Sequence, residues 1–181
     1  MSIMTIRSLG ALCCVLAIGL LTACGSKAEV ISGTPEELLP ALVAEARATL
    51  PEYGLGDTFD EAVTADSAEF ALGLTAAQFT ANVDSAFQAK AMMMTTPQTA
   101  ILVKAKDAAA AAEVARLIAA GFDSTQWICV MPERSVVVTA GSWVLLAVGS
   151  VDSTNALVEA FGKLAEGSAG EPNTFYFGPT E

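Results

Sequence analysis

The residues of this chain that could do chemistry are mainly acids and cysteines, because the sequence contains no histidine. The absence of histidine removes the commonest general base, the usual catalytic triads and most zinc sites. Five acids could supply a carboxylate pair for glycoside chemistry or ligands for calcium: Asp57, Asp60, Glu61, Asp66 and Glu69. Their spacing matches neither an EF-hand loop nor an acid pair, so we interpret the segment as a solvated acidic loop.

Sulfur-bearing residues offer a second chemistry, that of a reactive thiol or a soft metal site. Cys129 stands between Ile128 and Val130, and a thiol in apolar surroundings is inert, which favours core packing. Met92–Met94 and Met131 could bind copper through their thioethers, but alternate residues of a strand face opposite sides, so strand packing is favoured. The chain also has no glycine-rich phosphate loop. The sequence therefore predicts no catalytic residue, no metal and no cofactor.

The third candidate is Cys24, which lies where an apolar leader turns polar. Met1–Arg7 carries one positive charge, and Leu9–Leu21 is an apolar run too short for a membrane span, as in a secretory signal peptide. The last four residues, LTAC, resemble the bacterial lipobox, which implies diacylglycerol on the Cys24 sulfur and cleavage before it. Residues 1–23 are therefore predicted as a lipoprotein signal peptide and 24–33 as a flexible tether. The alternative is a cysteine that ends an uncleaved anchor helix.

Charge and lipid together predict where the protein acts. Acidic residues number 20 and basic residues 9, and the basic residues form no cluster that could follow a phosphate backbone, which argues against nucleic acid. Two acyl chains on Cys24 anchor a protein stably where one would be marginal. The predicted location is the extracytoplasmic face of the cell membrane. The anionic body should be held off an anionic lipid surface.

Capping patterns predict one or two helices at the start of the folded region. Thr34 and Glu37 form a capping box, and an apolar stripe then continues to Leu50, with Pro40 inside it and Pro51 ending it. Residues 52–66 are interpreted as a loop. Thr75 and Gln78 form a second, weaker capping box for a short helix.

Two hairpins, each followed by a helix, are predicted next. The first pairs Phe87–Met94 with Thr99–Lys106, and Asp107 caps a helix that ends near Gly121. The second pairs Ser135–Ala140 with Trp143–Val148.

The turn of the second hairpin fixes its register. With glycine first in the two-residue loop Gly141–Ser142, Ala140 pairs with Trp143 and Val138 with Leu145. Both faces of this hairpin are apolar, so it should be central and covered on both sides, or covered on one side and used for contact on the other. Asp152 is predicted to cap the last helix.

The expected fold is α+β, with a four-stranded antiparallel sheet in the order hairpin-helix-hairpin-helix, preceded by one or two N-terminal helices. Residues 34–167 form a single domain in this interpretation. Residues 168–181 form a polar and aromatic tail that contains Phe175, Tyr176 and Phe177. The aromatic cluster either tucks against the sheet or serves as a docking peptide.

Two segments carry a family resemblance: QTAILVKAKDAAAAAEVARLIAAGF, in which Lys-Asp leads from a strand into a helix, and SVVVTAGSWVLLAVGSVDSTNALVEAFGKL, a valine-rich hairpin that turns at glycine. They resemble the bacterial lipoprotein family that carries the domain of unknown function 4358. The resemblance covers roughly Thr34 to Leu164, and the family name implies no activity.

Two classes of function remain open. The first is a non-catalytic binding or accessory module of the cell envelope, held by lipid on Cys24, whose partner is an envelope protein or a small ligand. The second is a carboxylate-based envelope hydrolase that acts on cell-wall glycan, which the absence of histidine does not exclude. A cleft holding two close carboxyl groups, one of them removed from water, distinguishes the enzyme.

Overall fold

The computed structural model of the chain describes four ranges of residues: 31–50, 56–93, 97–127 and 130–177. The predicted signal peptide, most of the predicted tether, and the cysteines Cys24 and Cys129 lie outside the described residues, as does the predicted helix end at Pro51.

The described strands form one antiparallel sheet in the order β1-β2-β3-β5-β4-β6. Its strands are β1 Thr58–Ala62, β2 Val83–Ala91, β3 Thr99–Ala105, β4 Arg134–Ala140, β5 Trp143–Gly149 and β6 Asn173–Tyr176. The predicted four-stranded sheet is therefore wrong, because an edge strand is added on each side of the two hairpins. One added strand comes from the predicted acidic loop and the other from the predicted tail. Each pairs with a strand distant in sequence, which local pattern does not reveal.

Five α-helices lie within the described residues: α1 Pro35–Ala48, α2 Ala68–Leu72, α3 Ala76–Asn82, α4 Ala108–Gly121 and α5 Val151–Leu164. Three of them precede the first predicted hairpin, where one or two were expected. None of the helices in the described ranges has the length and hydropathy needed to cross a bilayer.

Four of the helices, α1, α3, α4 and α5, begin at a local side-chain cap. The capping boxes at Thr34 and Thr75 and the cap at Asp107 are confirmed. The predicted cap at Asp152 is wrong, since Ser150 caps α5 by accepting a hydrogen bond from the Ser153 amide at 3.1 Å.

Apolar side chains cover both faces of the sheet centre. α1 and α5 cover one face, where Trp143 and Leu145 are fully buried, and α2, α3 and α4 cover the other, where Val144 and Leu146 are fully buried. The predicted register of the β4–β5 hairpin and its central, two-sided burial are confirmed. Trp143 is a core residue rather than a contact surface.

The backbones of α2 and α4 meet at two glycines. Gly73 ends α2 with φ +71°, and a Cβ placed on it would lie 2.2 Å from the carbonyl carbon of Gly121. A Cβ placed on Gly121 would lie 2.5 Å from the carbonyl oxygen of Gly73. Glycine at both positions therefore permits this close approach.

Candidate functional site at the apolar end of the sheet

The five acids singled out from the sequence lie at the surface, and one of them, Asp57, also lines a cavity beside Met92 and Met93. All five are exposed, and Asp60 and Glu61 belong to β1, so the segment is partly a strand and not a loop throughout. The Glu61 carboxylate accepts a hydrogen bond of 2.6 Å from the Gln88 side chain on the neighbouring strand. Among the described residues, no group of three or more cysteines and acids is arranged to hold a metal ion.

One end of the sheet differs from the other in the chemistry of its exposed side chains. The strand register brings Thr58 opposite Ala91 on one side of the sheet and Arg134 opposite both Gly149 and Tyr176 on the other. We call this row of strand ends, with the residues just beyond it, the apolar end. Five inter-strand spacings of about 4.8 Å make it roughly 24 Å wide.

The large apolar side chains that the described part of the chain exposes all lie at or beside this end. They are Phe59, Phe70, Met92, Met93, Val130, Met131, Val151 and Tyr176. Scattered exposed apolar residues are normal on a protein surface, but their collection at one end is a feature of binding surfaces.

The methionines lie beyond the strand that was expected to pack them. β2 ends at Ala91, so Met92 and Met93 follow it and are 66% and 67% exposed, and their predicted packing within a strand is wrong. With Gly56, Asp57 and Ala91 they line a cavity of about 260 Å³. Met94 lies outside the described residues.

Two aromatic side chains, Phe59 and Phe70, lie on the β1 side of the apolar end. Phe59 lies opposite Lys90 in the register, and the Lys90 ammonium stands 4.9 Å from the centre of the Phe70 ring. This cation–π contact places a positive charge against one exposed ring while both rings remain more than half exposed.

On the β4 side of the apolar end, a buried arginine links β4 to α5. Arg134 is 7% exposed, and its guanidinium donates to the Thr154 hydroxyl at 2.6 Å, to the Val151 carbonyl at 3.0 Å and to the Asn155 side chain. The same guanidinium carbon lies 6.0 Å from the Tyr176 ring centre. Arg134 therefore ties β4 to the start of α5 beneath the exposed Tyr176.

Acidic side chains border the apolar end. Asp57 and Glu133 are exposed just before β1 and β4, and Asp152 is exposed in the first turn of α5. The Glu133 carboxylate accepts a hydrogen bond of 2.7 Å from the first amide of α5, where the helix dipole favours negative charge. At the start of the connection from α4 to β4, hydrogen bonds from the Thr125 hydroxyl and amide hold the pKa of Asp123 below its ordinary value.

Sequence reasoning singled out Met92–Met94 and the cluster Phe175–Phe177 but missed Phe59, Phe70 and Arg134 as parts of one surface. Phe175 and Phe177 pack against the core on the α4 side, and Tyr176 between them is exposed. This alternation follows from the pleat of β6, so a strand assignment there would have indicated Tyr176. The sequence holds no comparable signal for Phe59 or Phe70.

The comparisons with known proteins identify no relative. No family model, no curated protein and no solved structure matches the chain. The resemblance to the lipoprotein family therefore stays a prediction.

Proposed function

We propose that this chain is a lipid-anchored lipoprotein of the bacterial cell envelope and that it acts as a non-catalytic binding module. Its binding surface in this proposal is the apolar end, and its partner is an envelope protein. The observation that supports the proposal is the collection of exposed apolar side chains at one end of the sheet.

The dimensions and charge of the apolar end favour a protein over other partners. A width of roughly 24 Å suits a protein contact. The acids Asp57, Glu133 and Asp152 disfavour contact with an anionic bilayer and favour a partner with basic residues around an apolar centre.

The proposed anchor limits where the partner is met. The segment from Cys24 to Ile31 spans at most about 25 Å when fully extended, and Ile31 is already buried in the core beneath α1 and α5. Lipid on Cys24 would therefore keep the folded part close to the membrane, where a membrane-bound or membrane-adjacent protein is the accessible partner.

The hydrolase alternative receives no support from the described acids. A carboxylic general acid must be partly removed from water to hold its proton at neutral pH, whereas Asp57, Asp60, Glu61, Asp66 and Glu69 are all exposed. We therefore take the binding module as the function that the geometry supports best.

Site-specific photo-crosslinking of the full-length chain in intact cells tests the proposal. A photoreactive residue at Met93 and one at Tyr176 are expected to capture the same protein, because both belong to the apolar end. Matched probes at Asp84 and Glu171, which are exposed toward the opposite end of the sheet, are expected to capture none of it.

A second arm links the captured protein to the apolar surface itself. Replacing Met92 with glutamate should abolish capture from the Tyr176 probe, since a new charge enters the contact without touching the core. Capture of lipid alone, or equal capture from the control probes, would refute the proposed surface. Release of sugar fragments from cell-wall glycan by the purified chain, lost when the five acids become amides, would instead establish the hydrolase.

A further inference from the structure

Among the described residues, no strand pairs with the outer edge of β1. The Val63 amide donates to the Ala86 carbonyl at 2.9 Å, and the Met92 amide donates to the Asp57 carbonyl at 3.0 Å. Hydrogen-bonded pairs alternate along an antiparallel ladder, so the odd-numbered residues of β1 direct their backbone groups toward β2. β1 is the last strand on its side of the sheet in the part of the chain that the structure describes.

The backbone groups of the even-numbered residues of β1 consequently point away from β2. The amide and carbonyl groups of Thr58, Asp60 and Ala62 point away from β2 in this register. Such a row of groups is a template for another strand.

β1 contributes almost nothing to the core. Four of its five residues are exposed and Thr58 is half-buried, whereas β5 is buried throughout. The strand is held mainly by backbone pairing with β2, and its Phe59 side chain is 57% exposed. Phe59 also belongs to the apolar end, so the free edge and the proposed binding surface are continuous.

The acidic side chains on and beside β1 favour a basic partner strand over a second copy of β1. Asp60 and Glu61 are exposed on opposite faces of the strand, and Asp57 is exposed just before it. Pairing two copies of β1 would place these like charges near each other, which is unfavourable. A basic strand from a different protein would place opposite charges there instead.

From these features we propose that an extended basic segment of the partner protein adds to the sheet as a seventh strand along β1. This inference rests on the proposed binding function and names the recognition mode. Backbone hydrogen bonds to Thr58, Asp60 and Ala62 provide the pairing. Lysine or arginine opposite Asp60 and Glu61, with an apolar residue opposite Phe59, provides the selectivity.

Strand addition along β1 can be tested with a peptide whose sequence reads the same in both directions. The peptide Thr-Val-Lys-Lys-Val-Thr, blocked at both ends and fluorescently labelled, places lysines opposite both acids whether it binds parallel or antiparallel. It should bind the full-length chain in detergent, as followed by fluorescence anisotropy. The same peptide with two glutamates in place of the lysines should bind at least about tenfold more weakly, and added salt should weaken the lysine peptide.

Variants of Asp60 separate backbone pairing from charge alone. Asp60→Pro removes an amide that faces outward, and proline is tolerated at such edge positions because no ladder bond is lost. Asp60→Asn removes the same charge but keeps the amide. The proline variant should bind the lysine peptide about tenfold more weakly than the asparagine variant, because a lost hydrogen bond is worth about that factor. Circular dichroism of both variants should match that of the unmodified chain, which checks that they fold.

Hydrogen exchange gives a second readout in the unmodified chain. The amides of Thr58, Asp60 and Ala62 should exchange more slowly when the peptide is bound. Equal peptide binding by the two Asp60 variants, or unchanged exchange at these amides, would overturn strand addition. If crosslinking from Met93 and Tyr176 still captures one protein in that case, the binding function stands and only the recognition mode fails.

Discussion

Gly73 and Gly121 lie so close together that a single methyl group at either position should disturb the packing of α2 against α4. Gly73→Ala combines two costs. Its φ of +71° strains any residue with a Cβ by about 1 to 2 kcal/mol, and its Cβ would lie 2.2 Å from the Gly121 carbonyl carbon and 2.3 Å from its oxygen. Separating two backbones to relieve such a contact costs about 1 to 3 kcal/mol more. We therefore expect Gly73→Ala to lower the free energy of unfolding by about 2 to 5 kcal/mol.

Two other glycines provide controls that separate these costs. Gly141 has φ +58° with no atom within 4 Å of the added Cβ, so Gly141→Ala should lose only the conformational part, about 1 to 2 kcal/mol. Gly121→Ala has the close contact, 2.5 Å to the Gly73 carbonyl oxygen, without a positive φ. It should lose about 1 to 3 kcal/mol through the contact, of which the higher helix propensity of alanine returns at most about 1 kcal/mol.

Urea denaturation followed by tryptophan fluorescence measures all three variants, because Trp143 is fully buried in the folded chain. The expected order of stability loss places Gly73→Ala above both controls. A loss for Gly73→Ala no larger than that for Gly141→Ala would refute the close approach of α2 and α4.

Three further predictions concern the anchor, the buried arginine and acid stability. Cys24→Ser should leave the precursor uncleaved and block incorporation of labelled lipid in cells, and labelled lipid in the variant would refute the lipobox assignment. Arg134→Met should lower the free energy of unfolding by about 1 to 3 kcal/mol, because acceptors such as the Thr154 hydroxyl oxygen lose their buried donor, and a urea midpoint equal to that of the unmodified chain would contradict this role. The lowered pKa of Asp123 means that its contribution to stability is present above its unfolded-state pKa and is lost as the pH falls through the folded-state value. Asp123→Asn should therefore flatten the stability curve below about pH 4, as measured by urea midpoints from pH 3 to 7, with a matched steep decline in both proteins as the contrary result.

The parts of the fold that could be predicted from the sequence are those set by neighbouring residues. The β4–β5 hairpin followed from the turn at Gly141 and from alternation on either side of it, because turn geometry fixes register locally. The capping boxes at Thr34 and Thr75 also involve residues only three positions apart. In each case the interacting groups are close in the chain.

The edge strands depend on groups that are distant in the chain. β1 has acids and an exposed phenylalanine, so it lacks the alternation of a half-buried strand and forms through pairing with β2. α5 begins at the local cap Ser150 rather than at Asp152, and Glu133, from another segment, also accepts a hydrogen bond from its first amide. The sequence predicted the chemistry of Met92 and Met93 as apolar, but their exposure depends on where β2 ends.

The strand order also has a consequence for the way the chain folds. Each hairpin is formed by neighbouring strands, but the centre of the sheet joins β3 to β5, where Val103 pairs with Val144. A chain made from its N-terminus completes β3 long before β5 exists, and closing the intervening loop costs entropy before the pairing is gained. During that interval β3 exposes apolar side chains on both faces and an open edge. We expect docking of the two hairpins to limit the folding rate, and the waiting β2–β3 hairpin to be the segment that a folding chaperone protects.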